Sequence, residues 1–203
     1  MGTIEGKAVD RAIQDYINRF VRENRAAQVF AESLELSGVG LYPLVDHITV
    51  RTFDVDKRAK EFLALGFEYD REIGVLEYDN WWAKVYRKPG YPAIFVDQAY
   101  SGKRGEGCVI PPWVEKFGDK TLHHIAVRVN DIEKAISFLK AKQVDCVGEI
   151  VGARGSYLRQ IFTKSEVRDG KPFSVLELTE RHEGYLGFLP PQADGLMKSS
   201  IKI

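Results

Sequence analysis

Asp46-His47-Ile48-Thr49-Val50-Arg51 reads as a β-strand, and it recurs, lightly altered, as His123-His124-Ile125-Ala126-Val127-Arg128. Apolar residues at alternate positions give both copies the period of a strand with one buried face. On that period His47, Thr49 and Arg51 share a face, opposite Asp46, Ile48 and Val50. In the second copy His124, Ala126 and Arg128 align, and His123 is expected on the other face with Ile125 and Val127. Each copy runs into an acidic/basic helical stretch, Asp54-Val55-Asp56-Lys57 or Asp131-Ile132-Glu133-Lys134. The second unit closes on Ser174-Val175-Leu176-Glu177-Leu178, an apolar strand carrying one carboxylate.

Working outward, the first unit reads as a strand over residues 47–52, a helix over 57–65 stopped by Gly66, and strands over 74–78, 81–87 and 93–97. The second repeats that order: strand 124–129, helix 132–141, strands 144–151, 157–163 and 173–179. Arg168-Asp169-Gly170-Lys171 supplies a hairpin turn between its last two strands. Residues 8–36 read as one helix, and residues 101–120, with Pro111 and Pro112, as a connection. The fold class expected is α+β, with two tandem βαβββ modules curling as one mixed sheet around a metal cleft behind an N-terminal helical arm. The divisions are an arm at 1–43, modules at 44–100 and 121–182, a connecting loop at 101–120, and a tail at 183–203 that caps the cleft as a lid or simply packs. The arm packs on the sheets or on a second subunit, which leaves a homodimer open.

The 203 residues suffice for one core or two small modules sharing one. Lys+Arg and Asp+Glu both number 29, so nothing in the balance points to nucleic acid or an anionic membrane. No run of about 18 apolar residues suggests a membrane span. Residues 1–25 lack the apolar core of a signal peptide, which with two unpaired cysteines, Cys108 and Cys146, points to a cytoplasmic address.

A carboxylate between apolar neighbours is costly to bury alone, and a divalent cation is a suitable partner for it. A lone strand glutamate is more often paired with an arginine, and Arg51 or Arg128 would serve. Corresponding histidines in two repeats favour the metal: His47, His124 and Glu177 form a two-histidine, one-carboxylate set. Aligning the last strands of the units sets Phe95 opposite Glu177, so a fourth protein ligand is missing and positions stay open for substrate and oxygen. Trp81-Trp82 is expected to pack the sheet, and Lys103-Arg104 to be a solvated loop.

Over about residues 44–180 this pattern resembles the vicinal oxygen chelate superfamily, whose paired βαβββ modules bind a metal between them. Ile161-Phe162-Thr163-Lys164 and Leu176-Glu177-Leu178 are similar to the closing hairpin of the catalytic half of 4-hydroxyphenylpyruvate dioxygenase. A longer likeness is to the 2-oxoadipate dioxygenase/decarboxylase (hydroxyglutarate synthase) family. It takes in the arm, residues 46–53, Trp82-Ala83-Lys84-Val85-Tyr86, Tyr157-Leu158-Arg159-Gln160 and the tail from Glu180-Arg181 to Ala193-Asp194.

The resemblance implies a mononuclear non-haem Fe(II) dioxygenase that decarboxylates a 2-oxo acid with O2. Zn, Mn, Co or Ni are ions a purified sample could carry in place of iron. Arg51 is implied to hold a substrate carboxylate, with Arg128 and Gln160 assisting. Its Cα lies about 13 Å from that of His47 along the strand. Two rivals keep the fold. One is a metal-dependent glyoxalase-like lyase or isomerase; the other is a non-catalytic small-molecule-binding protein of the bleomycin-resistance type.

Overall fold

The computed structural model describes residues 4–202, so the ends of the arm and tail, residues 1–3 and 203, lie outside the described residues. Elements run in the order α1 (Ile4–Glu23), α2 (Arg25–Glu35), β1 (Val45–Arg51), α3 (Val55–Ala64), β2 (Glu68–Tyr69), β3 (Val75–Glu77), β4 (Trp81–Arg87), β5 (Ala93–Ala99), α4 (Ile110–Phe117), β6 (Leu122–Arg128), α5 (Ile132–Ala141), β7 (Cys146–Val151), β8 (Leu158–Thr163), β9 (Glu166–Arg168), β10 (Lys171–Arg181) and α6 (Pro190–Ser199).

The repeated charged tetrapeptides are helix starts. Asp54 caps α3 by accepting from the Lys57 N–H, and Asp131 caps α5 by accepting from the Lys134 N–H. A side-chain acceptor there satisfies an amide the helix leaves orphaned. Gly66, at φ +80°, lets the chain leave α3, a conformation open to glycine at no steric cost.

Ten strands form one mixed sheet in the order β2-β4-β5-β1-β6-β10-β8-β7, with β3 added on β4 and β9 on β10. Within each unit the first strand pairs in parallel with the last, β1 with β5 and β6 with β10. The units meet through antiparallel β1 and β6, where Ile48 lies opposite Ile125, His47 opposite Ala126 and Thr49 opposite His124. That register is a local two-fold, so equivalent residues of the repeats become diagonal neighbours at the middle of the sheet.

Strand alternation then sorts the side chains. Ile48, Val50, Ile94, Ile125, Val127, Leu176 and Leu178 join one core with Ile13, Ile17 and Phe20 of α1, Phe62 of α3 and Ile132 and Leu139 of α5. A fully buried Phe62 or Ile132 is worth about 1.5–3 kcal/mol relative to exposure. The other face curls around a cleft lined by Trp81 and Phe95, with Trp113 and Phe173 in the second apolar cluster beside it. The hairpin after β9 turns on Asp169 and Gly170, at φ +50° and +72°, the two left-handed positions of a type I′ turn.

Two sequence expectations are corrected, and the tail proves to carry a helix. The stretch 8–36 is two helices. Asn24 is fully buried, extended at φ −134°, and caps α2 by accepting from the Ala27 N–H, while its amide donates to Ser174 Oγ on β10 at 3.2 Å. The arm is thereby fastened to the sheet of its own chain. The connection 101–120 contains α4, because Pro111 and Pro112 occupy its first turn, where no amide proton is needed. Residues 190–199 likewise form a helix opened by prolines, α6, which lies over the cleft.

Candidate metal centre

Three adjacent strands, β1, β6 and β10, each send one buried donor to the same point of the cleft. His47 Nε2 and His124 Nε2 lie 3.4 and 3.2 Å from Glu177 Oε2. All three donor atoms fall within 4.8 Å of one another. Donors bound to one ion at about 2.1 Å and at right angles sit about 3 Å apart, so little movement would be needed to share one. The set faces a narrow cleft that Phe95, Phe162 and Phe188 also line.

The surroundings aim the donor atoms of His47 and Glu177 into the cleft. Gln160 Nε2 donates to Glu177 Oε1 at 2.6 Å, and Thr179 donates to the same oxygen, so Oε2 is the one turned to the histidines. His47 Nδ1 meets Asp46 Oδ2 at 2.9 Å, which directs Nε2 into the cleft. Asp46 is held in turn by Arg181, through Nε at 2.8 Å and Nη2 at 2.9 Å, and by Arg128 at 2.7 Å. Thr49 Oγ1 lies 2.8 Å from His124 Nε2, a contact that an ion on that nitrogen would displace, and His124 Nδ1 pairs with His123 Nδ1 at 2.9 Å. Supporting partners of this kind orient a metal-binding imidazole and fix its tautomer.

Charge placement fits the same use. Burial pulls the His47 imidazole down, but Glu177 and Asp46 outweigh it and raise it to about 9. Burial pushes the Glu177 carboxyl up, yet the two histidines hold it well below the usual carboxylate range. Burial dominates at His124 and lowers it to about 4. Among the described residues, Glu177 has no guanidinium or ammonium partner within 4.0 Å. The arginine-paired alternative for this glutamate therefore fails. Arg51 turns to Asp97, and Arg128 to Asp46. Two imidazoles and a buried carboxylate on one point suit a divalent transition ion.

The remaining site residues divide. Arg51, 1% exposed, lines the cleft beyond the triad, and Gln160 lines it as a support for Glu177. Arg128 does not. Its half-exposed side chain leaves the cleft and clamps Asp46, because it stands at the far end of β6 from His124. His123 corrects the alternation argument in the opposite sense. The register between β1 and β6 slips by one residue at His123, a β-bulge, and both His123 and His124 line the cleft. A second slip at Asp46 lets that side chain reach the ring of its own neighbour His47.

Phe95 sits in register with Thr49 as Glu177 does with Ala126, so it occupies the symmetry-related position in the first unit. Trp81 faces the cleft, stacked on Tyr78 at 3.6 Å, with its indole N–H donated to Asp194 of α6; Trp82 packs with the core on the opposite face. The tail roofs the cleft. Phe188 lies edge-on to His47 at 5.2 Å, and Arg51 Nη2 donates to Met197 Sδ at 2.8 Å. Thr49, Thr179, Asp97 and the α6 residues were not singled out from sequence. The alternation with His47 and Glu177 was a signal for the two threonines.

No family model and no curated protein matches the chain. Solved structures share its fold. A protein from Shewanella frigidimarina NCIMB 400, provisionally described as a hydrolase, aligns at a TM-score of 0.71 with 18% identity, covering 94% of this chain and 99% of that one. A protein from Ralstonia eutropha JMP134, provisionally assigned to the glyoxalase superfamily, gives 0.66 at 11% identity over 89% and 85%. A mutant 4-hydroxymandelate synthase from Streptomyces coelicolor gives 0.59 at 17% identity, covering 79% of this chain and 54% of that one. No described helix is long and apolar enough to cross a membrane.

Proposed function

We propose that this chain is a mononuclear Fe(II)-dependent dioxygenase of the vicinal oxygen chelate superfamily that decarboxylates a 2-oxo acid. The observation that carries the reading is the convergence of His47, His124 and Glu177 from three neighbouring strands, with the open side of the set facing a cleft that ends on Arg51. A three-donor facial set leaves about three positions of an octahedral ion for other ligands. Bound there, a ferrous ion would supply a chelation point for the 2-oxo carboxylate and a means of activating O2.

The chain's own residues do the rest. Asp46 holds His47 by its Nδ1, and Gln160 and Thr179 hold Glu177 by Oε1, so the donor atoms are aimed before anything binds. Arg51 offers a buried guanidinium to an acidic group of the substrate, a task to which its planar fork is suited. Trp81, Phe95, Phe162, Phe188 and Leu196 surround the space between and keep bulk water out. With one oxygen atom ending in the new carboxylate and the other in a hydroxyl group of the product, the substrate supplies all four electrons. No separate reductant is required. Phe95 stands where a fourth protein ligand would be, which favours this over a lyase or isomerase using such a ligand.

The test is metal stoichiometry after anaerobic Fe(II) loading, for the parent beside His124→Ala and Glu177→Ala, followed by oxygen uptake with a panel of 2-oxo acids. Near one ion per chain in the parent, much less in both variants, and uptake coupled to CO2 release are expected. Equal, negligible binding in all three would end the reading.

A further inference from the structure

Two charged side chains in the cleft lack the hydrogen bonds that their burial calls for, and they stand together. Arg51 and Asp97 lie opposite each other on β1 and β5, 1% and 2% exposed, and both line the cleft. Their closest approach, Arg51 Nε to Asp97 Oδ2, is 3.8 Å, too long for a hydrogen bond. Arg51 Nε and Asp97 Oδ1 have no partner among the described residues. The Tyr78 hydroxyl, behind Trp81, is unpartnered as well, and the charges of Asp97 and Glu177 reach it. What Arg51 does hold is a thioether, Met197 Sδ, which is a weak acceptor, a long contact of 3.5 Å to Ser200 Oγ, and the face of the Trp113 ring at 5.6 Å. Buried polar atoms left in this state cost free energy that a ligand can recover.

The arrangement offers a donor of positive charge and an acceptor of negative charge side by side. A plain carboxylate placed on Arg51 offers no donor to the unpartnered Asp97 Oδ1, and it crowds a second acidic group against a carboxyl that burial already pushes up to about 7. A carboxylate with a hydrogen-bond donor on the neighbouring carbon satisfies both: its oxygens face the guanidinium, and its ammonium or hydroxyl faces Asp97 Oδ1. We propose that Arg51 and Asp97 form a paired docking point for the substrate end distal from His47, His124 and Glu177, and that this end is a 2-amino or 2-hydroxy carboxylate. The inference rests on the reading of the cleft as a 2-oxo acid site and narrows its substrate class. Asp97 is its specificity-determining residue.

The experiment is calorimetric titration of the purified protein, with and without Fe(II) under anaerobic conditions. The probes are straight-chain dicarboxylates of five to seven carbons and their 2-amino and 2-hydroxy counterparts, none of which has a 2-oxo group to be turned over. In the parent, at least one amino or hydroxy acid binds about tenfold or more tightly than the dicarboxylate of the same length. Asp97→Asn removes that preference, with thermal unfolding and metal stoichiometry close to the parent. Arg51→Gln weakens all probes. Equal affinities at every length, a preference for the plain dicarboxylates, or no binding of any probe would overturn the proposal and leave Arg51 and Asp97 as an internal ion pair only. Loss of metal binding in the parent with the probe preference intact would overturn the dioxygenase reading and not this one.

Discussion

Asp46 touches no other group of the cleft, yet it governs the imidazole that does. Its Oδ2 meets His47 Nδ1, and both its oxygens are clamped by Arg181. Asp46→Asn removes the charge that makes Nε2 a strong ligand, so metal affinity should fall about 10–100-fold while the stoichiometry stays at one, read by competition with a chelating indicator. An unchanged affinity would mean that the aspartate only ties β1 to the arginines. The protonation states make a second residue-level prediction. Without metal, His47 keeps its proton up to about pH 9, against an ordinary value of 6.5, whereas His124, at about 4, is already neutral and Glu177 already ionised. Metal uptake near pH 7 should therefore expel about one proton, and well above pH 9 almost none, measured by calorimetry in buffers of different ionisation enthalpy. The linkage also has a sign for the metal-free fold. The raised His47 stabilises it fully below pH 6.5, and that contribution is lost as pH climbs through about 9.

Elements place these residues, and here sequence reasoning was uneven for physical reasons. Strand alternation found the faces of His47, Thr49, Arg51 and Glu177 because those strands are regular where they carry them. It misplaced His123 and Asp46 because each sits on a one-residue slip, and a bulge leaves no mark in an alternating pattern. The break at Asn24 was invisible too, since an asparagine inside a helical period is only mildly unfavourable until its side chain finds a cap and a partner on another strand. That double role predicts a cost. Asn24→Ala should destabilise the protein by about 1–2 kcal/mol, seen as a lower denaturant midpoint with an unchanged slope. A loss near zero would show that the arm is held by its apolar face alone. Helix α6 escaped notice because the apolar residues of the tail show no clear period. It is held in place by what it and the residues just before it cover: Phe188, ahead of the helix, on His47 and Phe95, and from the helix Asp194 on Trp81 and Met197 on Arg51.

At the scale of the molecule, the two units are related by the local two-fold through Ile48 and Ile125, and the site is built where that symmetry is broken. The repeat made the architecture legible, because two βαβββ patterns can close only by sharing one sheet. It also marked the asymmetry, Phe95 against Glu177. Restoring symmetry is the sharpest test of what the open side is for. Phe95→Glu would set a second carboxylate beside the first, in a wall now made by Phe188 and Trp81. Without an ion, two buried carboxylates repel and remain under-paired, so the metal-free variant should be less stable than the parent by several kcal/mol. With an ion, the extra negative ligand offsets part of that cost. The gap in Tm between metal-free and loaded protein should therefore widen, while stoichiometry stays at one. If the proposed chemistry needs three free positions, oxygen uptake should drop at least about tenfold as one of them is filled. Undiminished uptake would place the reaction away from that side of the set. An unchanged Tm gap would mean that position 95 never faces the ion at all.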